Sequence, residues 1–255
     1  HGFVSLWPWS ASEVAVAWLD GRKTQGASGH DHHQSIQDKN SDKVMTLRTA
    51  VFDAHGKKLN EWLLDQRTCD CCQTDAAVTD KGPIVIYRDR DPNEIRDIYT
   101  SRFINHKWTT GVPVAKDHWH MPACPVNGPA ISAFKNNVWA AWYTGANNTS
   151  AIRLAYSNNS GENYTASKNF IQGPQIQGRV DITGNATNAW LLWTEESAVQ
   201  SIWLTQIDRH FKHVGQPIRI SQLTGRGHAT GFAKMQKNNH GIFIVWTDVI
   251  DGKPV

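Results

Sequence analysis

The sequence predicts an all-β chain, a β-propeller of four-stranded blades, on three observations: a repeat of about fifty residues, period-2 alternation within each repeat, and an excess of tryptophan. Five segments share one shape, a few apolar residues and then an aromatic. They are Val14-Ala15-Val16-Ala17-Trp18, Ile84-Val85-Ile86-Tyr87, Val138-Trp139-Ala140-Ala141-Trp142, Ala189-Trp190-Leu191-Leu192-Trp193 and Ile242-Phe243-Ile244-Val245-Trp246. Their closing aromatics lie 69, 55, 51 and 53 residues apart, the spacing of propeller blades. The first interval is longer because Thr24 to Asp42 is a polar insertion. Twelve Trp among 255 residues, with many Val/Ile/Tyr runs, favour strands over helices.

Each unit orders its parts alike. A short first strand, such as Asp75-Ala76-Ala77-Val78 or Pro129-Ala130-Ile131-Ser132, leads into a polar turn, such as Asp80-Lys81-Gly82 or Lys135-Asn136-Asn137. The aromatic strand follows. An alternating third strand comes next, as in Met45 to Val51, Ile98 to Ser101, Ile152 to Tyr156 or Ile202 to Thr205. A weaker fourth, such as Val112-Pro113-Val114 or Ile218-Arg219-Ile220, closes the unit. A β-sandwich would explain the strands but not the period. About five units are visible, the last incomplete, and ring closure points to six blades in one domain spanning residues 1–255. The chain opens on His1-Gly2-Phe3 without an initiator Met or a signal-peptide pattern, so it is read as an exported protein whose leader has been removed or as part of a longer chain.

Composition excludes several classes. With 40% hydrophobic and 19% charged residues the chain can build a sizeable core. A net charge of +3 with no long Lys/Arg run argues against nucleic acid as a partner. No apolar stretch is long enough for a helix to span a bilayer.

Ser157-Asn158-Asn159-Ser160-Gly161-Glu162-Asn163-Tyr164 resembles the Asp-box, Ser-x-Asp-x-Gly-x-x-Trp, of bacterial sialidase-like repeat propellers, with Asn159 for Asp and Tyr164 for Trp. Ser101 to Trp108 is a poorer echo, and the family's Arg-Ile-Pro segment is absent. The box is a turn in which a polar side chain bonds the hairpin backbone, so it argues fold, not chemistry. The resemblance implies a periplasmic or secreted propeller that binds or hydrolyses an acidic glycan, as an exo-sialidase does if it is an enzyme.

In a four-stranded blade, the connections between blades and the loops joining second to third strands emerge on one face, and most reactive residues fall there. Arg88, Arg179 and Arg226, with Arg90, His228 and Asn127 nearby, suit the carboxylate of an acidic sugar, because guanidinium forks match carboxylate oxygens. Asp75 and Asp181 are the candidate acid/base pair for glycoside hydrolysis, with Asp89, Glu195 and Asp248 as further carboxyls. An ordinary network of inter-blade ion pairs would use the same residues.

Cys69, Cys71, Cys72 and Cys124 are the only cysteines. Cys72 stands three residues before Asp75 and Cys124 three before Asn127, equivalent positions in adjacent units, so the cysteines should be neighbours in space. They suit disulfides stapling two blades, or a copper or zinc site completed by His118 or His120, with Met121 beside them. His30-Asp31-His32-His33 can hold a metal or form a solvated loop. Asn147, Asn148, Asn158, Asn163 and Asn185 begin N-x-Ser/Thr sequons of no diagnostic weight in so Asn-rich a chain. Two alternatives therefore stand beside the glycan reading: a metal-binding propeller and a non-catalytic interaction platform.

Overall fold

The structure is a computed structural model that describes residues 3–24 and 43–255. The His30 to His33 run lies outside the described residues. The strands fall into successive antiparallel meanders. The first unit holds β1 (Val4–Pro8), β2 (Glu13–Asp20), β3 (Thr46–Asp53) and β4 (Lys58–Asp65). The second holds β5 (Asp75–Thr79), β6 (Gly82–Arg88), β7 (Ile98–Ile104), the short β8 (Lys107–Trp108) and β9 (Val112–Ala115), the last two both pairing with β7. The third holds β10 (Ala130–Phe134), β11 (Asn137–Thr144), β12 (Ala151–Ser157) and β13 (Lys168–Gln172). The fourth holds β14 (Ile176–Gly184), β15 (Asn188–Glu196), β16 (Gln200–Asp208) and β17 (Ile218–Leu223). The fifth has β18 (Lys234–Asn238) and β19 (Gly241–Val245), followed by a separate hairpin of β20 (Val249–Ile250) and β21 (Lys253–Pro254).

The expected aromatic strands are β2, β6, β11, β15 and β19, and their alternation explains the packing. Side chains on a strand alternate between two faces, and in a propeller each face meets a different neighbouring blade. In β6, Val85 and Tyr87 pack toward the first unit, and Ile84 and Ile86 toward the third. In β11, Trp139 and Ala141 meet the fourth unit, and Val138, Ala140 and Trp142 the second. In β15, Leu191 and Trp193 face the third unit and Leu192 the fifth. The core is thus a series of apolar layers between blades. Each fully buried large side chain contributes about 1.5–3 kcal/mol to it. The indole N–H of Trp139 donates to Asn185 O at 2.9 Å and that of Trp142 to Asp117 Oδ2 at 2.8 Å, so both rings are buried without an orphaned donor.

The innermost strands β1, β5, β10, β14 and β18 surround one central channel. Phe3, just before β1, meets Phe232, just before β18, edge to face at 5.4 Å, bringing the first unit beside the fifth. A sixth blade is not among the described residues. Polar clasps tie neighbouring inner strands. Gln73 donates to Gly128 O at 3.1 Å and accepts the Gly128 N–H at 2.7 Å, a reciprocal amide pair between units two and three. Ser132 accepts the N–H of Gly184 at 3.1 Å, joining units three and four.

The turn after β12 is held by its own polar side chains. Asn159 Oδ1 accepts the backbone N–H of Asn163 at 3.1 Å and the Ser157 hydroxyl at 2.7 Å, while Ser157 Oγ accepts the N–H of Gly161 at 3.0 Å. Gly161 takes the left-handed φ of +74° that this turn requires.

Candidate active site at the channel mouth

The channel is a cavity of about 710 Å³, within the range that holds small ligands, and Asp75, Asp181 and Lys234 all line it. Asp75 opens β5 and accepts the backbone N–H of Ala76 and, across the blade gap, of Ile131, both at 2.8 Å. Asp181, in β14, accepts the N–H of Ile182 at 3.1 Å and of Met235 at 2.7 Å, again across a gap. Lys234 Nζ stands 3.5 Å from Asp181 Oδ1. Burial pushes Asp75 up to about 6, with the charge of Lys234 opposing and that of Asp181 adding. Burial likewise raises Asp181, against Lys234 and two backbone donors. Enclosure pulls Lys234 down, but the two carboxylates outweigh it and hold the ammonium charged. One cavity therefore contains two carboxyls that burial pushes up, Asp75 to about 6, with the Lys234 ammonium acting on both and standing 3.5 Å from Asp181.

Both expected acid/base residues thus reach the same cavity. Lys234 was not among the candidates. It lies 53 residues after Asp181, one repeat on, and that spacing was the available signal.

The arginines take other positions. Arg88, only 2% exposed, donates to the carbonyls of Asn127 (3.0 Å), Arg96 (2.7 Å) and Tyr143 (2.7 Å), with Trp119 stacked on its guanidinium at 4.8 Å. Arg179 donates to Thr230 Oγ1 at 2.9 Å and to the carbonyls of Gly231 (3.1 Å) and Gly227 (2.7 Å). Desolvation lowers its pKa. Arg226 is exposed and pairs with Glu196 at 3.0 Å. Asn127 links the walls, accepting the Arg179 N–H at 2.9 Å and donating to Gln177 O at 2.7 Å. Arg179, Asn127 and the exposed His228 line a cleft of about 220 Å³ with Trp119 and Tyr143; Arg88 and Arg226 do not line it. Among the other carboxyls, Asp248 caps the N–H groups of Thr224, Gly225 and Val249, and Glu195 accepts the indole N–H of Trp193.

The cysteines gather at one place, though Cys72 and Cys124 are not at equivalent positions: Cys72 stands three residues before β5 and Cys124 six before β10. Cys69 Sγ lies 3.0 Å from Cys72 Sγ and 3.7 Å from Cys71 Sγ, while Cys71 also groups with Cys124 and Asp70. All four are free thiols. His118 and His120, expected as their partners, join neither group. Trp119 takes the buried place between them, leaving both imidazoles exposed on a separate cleft with Met121 and Tyr143.

A further cleft, between the first two units, holds a carboxyl pair of which only Asp89 was anticipated. Asp65 ends β4 and accepts the Tyr87 hydroxyl at 2.6 Å. Burial raises Asp65 and, with the charge of Asp65 adding, pushes Asp89 up to about 7.

No family model matches the chain, and no curated protein matches it. In architecture it is similar to a GH32 β-fructofuranosidase of Bombyx mori, with a TM-score of 0.56 and 12% identity over 99% of this chain and 55% of that one. It is also similar to the Aleuria aurantia lectin, a six-bladed β-propeller that recognises fucose, with a TM-score of 0.54 and 13% identity over 98% and 72% of the two chains. A glycosyl hydrolase from Bacteroides ovatus gives a TM-score of 0.50 and 12% identity over 100% and 85%. The chain spans about half the length of the silkworm enzyme. At these identities the likeness shows the propeller fold.

Proposed function

We propose that this chain is a glycan-active propeller, a glycoside hydrolase whose site is the mouth of the central channel. The observation that carries the reading is the shared placement of Asp75 and Asp181 in one ligand-sized cavity, with Lys234 beside Asp181. Glycoside hydrolysis needs one carboxyl that arrives protonated and one that stays ionised. Asp75, pushed up to about 6, suits the first role: it delivers its proton to the departing glycosidic oxygen. Asp181, with Lys234 alongside, suits the second and faces the positive charge that develops on the sugar. The fold likeness to carbohydrate-acting propellers supports the same substrate class. The acidic-sugar version of the proposal assigns the sugar carboxylate to the exposed Arg226, in exchange for its pair with Glu196, and to His228, both outside the channel lining, because Arg88 and Arg179 are taken up by backbone carbonyls.

The test is turnover of a panel of aryl glycosides, neutral and sialylated, by the full chain and by Asp75→Asn. The reading expects at least one substrate to be cleaved and the substitution to lower kcat by about a hundredfold or more, with the fold intact by circular dichroism. Turnover that is indifferent to Asp75→Asn would move the site elsewhere. Preference for a sialylated over a neutral substrate, lost in Arg226→Ala, would support the acidic-sugar version.

A further inference from the structure

The loop from β4 to β5 gathers three thiols at one point. Cys69 and Cys72 are 0% and 1% exposed, and Cys71 is also buried. Their sulfurs lie within 4.8 Å of one another, and a second group of Cys71, Cys124 and Asp70 shares the Cys71 sulfur. Sulfurs about 2.3 Å from one tetrahedral ion stand about 3.8 Å apart, which the 3.7 Å from Cys69 to Cys71 matches; the 3.0 Å from Cys69 to Cys72 would have to open on binding. Cys124, the exposed member, belongs to the loop before β10, so it approaches from the neighbouring unit.

The groups around the sulfurs distinguish an ion from a pair of disulfides. Arg96, 3% exposed, directs Nη1 at Cys69 Sγ from 3.2 Å. The Asn127 N–H donates to Cys72 Sγ at 3.4 Å. Disulfide sulfurs carry no charge and accept hydrogen bonds weakly. Thiolates on a metal retain negative charge and are held by such donors. Arg96 is in turn paired with Glu94 at 2.9 Å and faces Asp70 at 3.8 Å, so two carboxylates fix its direction.

We propose that Cys69, Cys71, Cys72 and Cys124 form a thiolate site for one thiophilic d10 cation, Zn(II) or Cu(I), joining the second and third units. Binding releases the thiol protons, leaves a net negative cluster and places Arg96 as its buried counter-charge. The site is independent of the glycan proposal, because none of its ligands lines the channel.

The experiment uses the full chain, purified anaerobically with reductant, and titrates it with Zn(II) and separately with Cu(I) against competing chelators, with native mass spectrometry to count ions. The expected result is one ion per chain. Cobalt(II) as a stand-in should give thiolate-to-metal charge-transfer absorption. Cys124→Ser, at an exposed position, should weaken zinc by about tenfold or more without changing the circular dichroism spectrum. Loss of zinc with Cu(I) binding unchanged in that variant would assign a tetrahedral zinc on four sulfurs and a trigonal Cu(I) on Cys69, Cys71 and Cys72. Absence of one-to-one binding by either ion to the reduced chain would overturn the proposal. So would two disulfides in the folded chain that resist reduction, and so would metal binding unchanged in both Cys69→Ser and Cys124→Ser.

Discussion

Asp181 accepts the backbone N–H of Met235 at 2.7 Å, so a carboxylate on the inner strand of one blade holds the inner strand of the next. Asp75 does the same to Ile131 at 2.8 Å. The proposed catalytic carboxyls are therefore also clasps, and the two roles separate by substitution. Asp181→Ala removes the acceptor and strips Lys234 of its nearest anion, and should cost about 2–4 kcal/mol in urea unfolding. Asp181→Asn keeps an oxygen for Met235 and should cost less than half of that, yet abolish turnover. Equal destabilisation by the two variants would contradict the clasp.

Gly128 is fixed by crowding. A Cβ there would lie 1.9 Å from Gln73 O and 2.7 Å from Gln73 N, both rigid backbone atoms. Gly128→Ala should break the reciprocal Gln73–Gly128 pair and lower stability by about 3 kcal/mol or more, read as a shift of the denaturation midpoint. A wild-type midpoint would refute the packing described between units two and three.

Arg88 serves three backbone carbonyls and a tryptophan face at once. Arg88→Met should leave those carbonyls unpaired and cost about 3 kcal/mol or more. Arg88→Lys should recover little, because an ammonium cannot reproduce the planar fork. Full recovery in the lysine variant, by thermal melting, would show that charge alone matters there.

Asp89 gives the stability a pH signature. Its carboxyl is pushed up to about 7 by burial first and by Asp65 second, against an ordinary value of 3.8. Between these values the folded chain holds a proton that the unfolded chain has released, so this group's contribution falls as pH rises through the window. Asp89→Asn should therefore gain on wild type, by roughly 1–3 kcal/mol, between about pH 4 and 7. Urea midpoints of both proteins at the two ends of the window measure the difference. Parallel pH profiles would remove Asp89 from the account.

The blades were legible because packing imposes a pattern: β6 and β11 each serve two neighbours, so both faces must be apolar and the strand reads as a continuous run ending on an aromatic. That the two cysteine loops meet was legible because both precede inner strands of successive units, but the offsets differ: Cys72 stands three residues before β5 and Cys124 six before β10, and it is Cys71 that Cys124 reaches. Arg88 and Arg179 were read as ligand-holding residues because a guanidinium suits a carboxylate, but their partners are carbonyls of distant loops, and a carbonyl leaves no mark on a sequence. His118 and His120 looked like companions of the cysteines by proximity in the chain. The buried Trp119 between them determines which way that loop turns. Asp65 went unnoticed because its partner, the Tyr87 hydroxyl, lies on another blade.

The most direct test of the central claim is glycan binding by the full chain on an array, repeated with Asp75→Asn and Asp181→Asn. Wild type should retain at least one glycan and release or cleave it on incubation, and both variants should retain the same glycan uncleaved. A chain that binds no glycan, or that cleaves one equally well without either carboxylate, would contradict it.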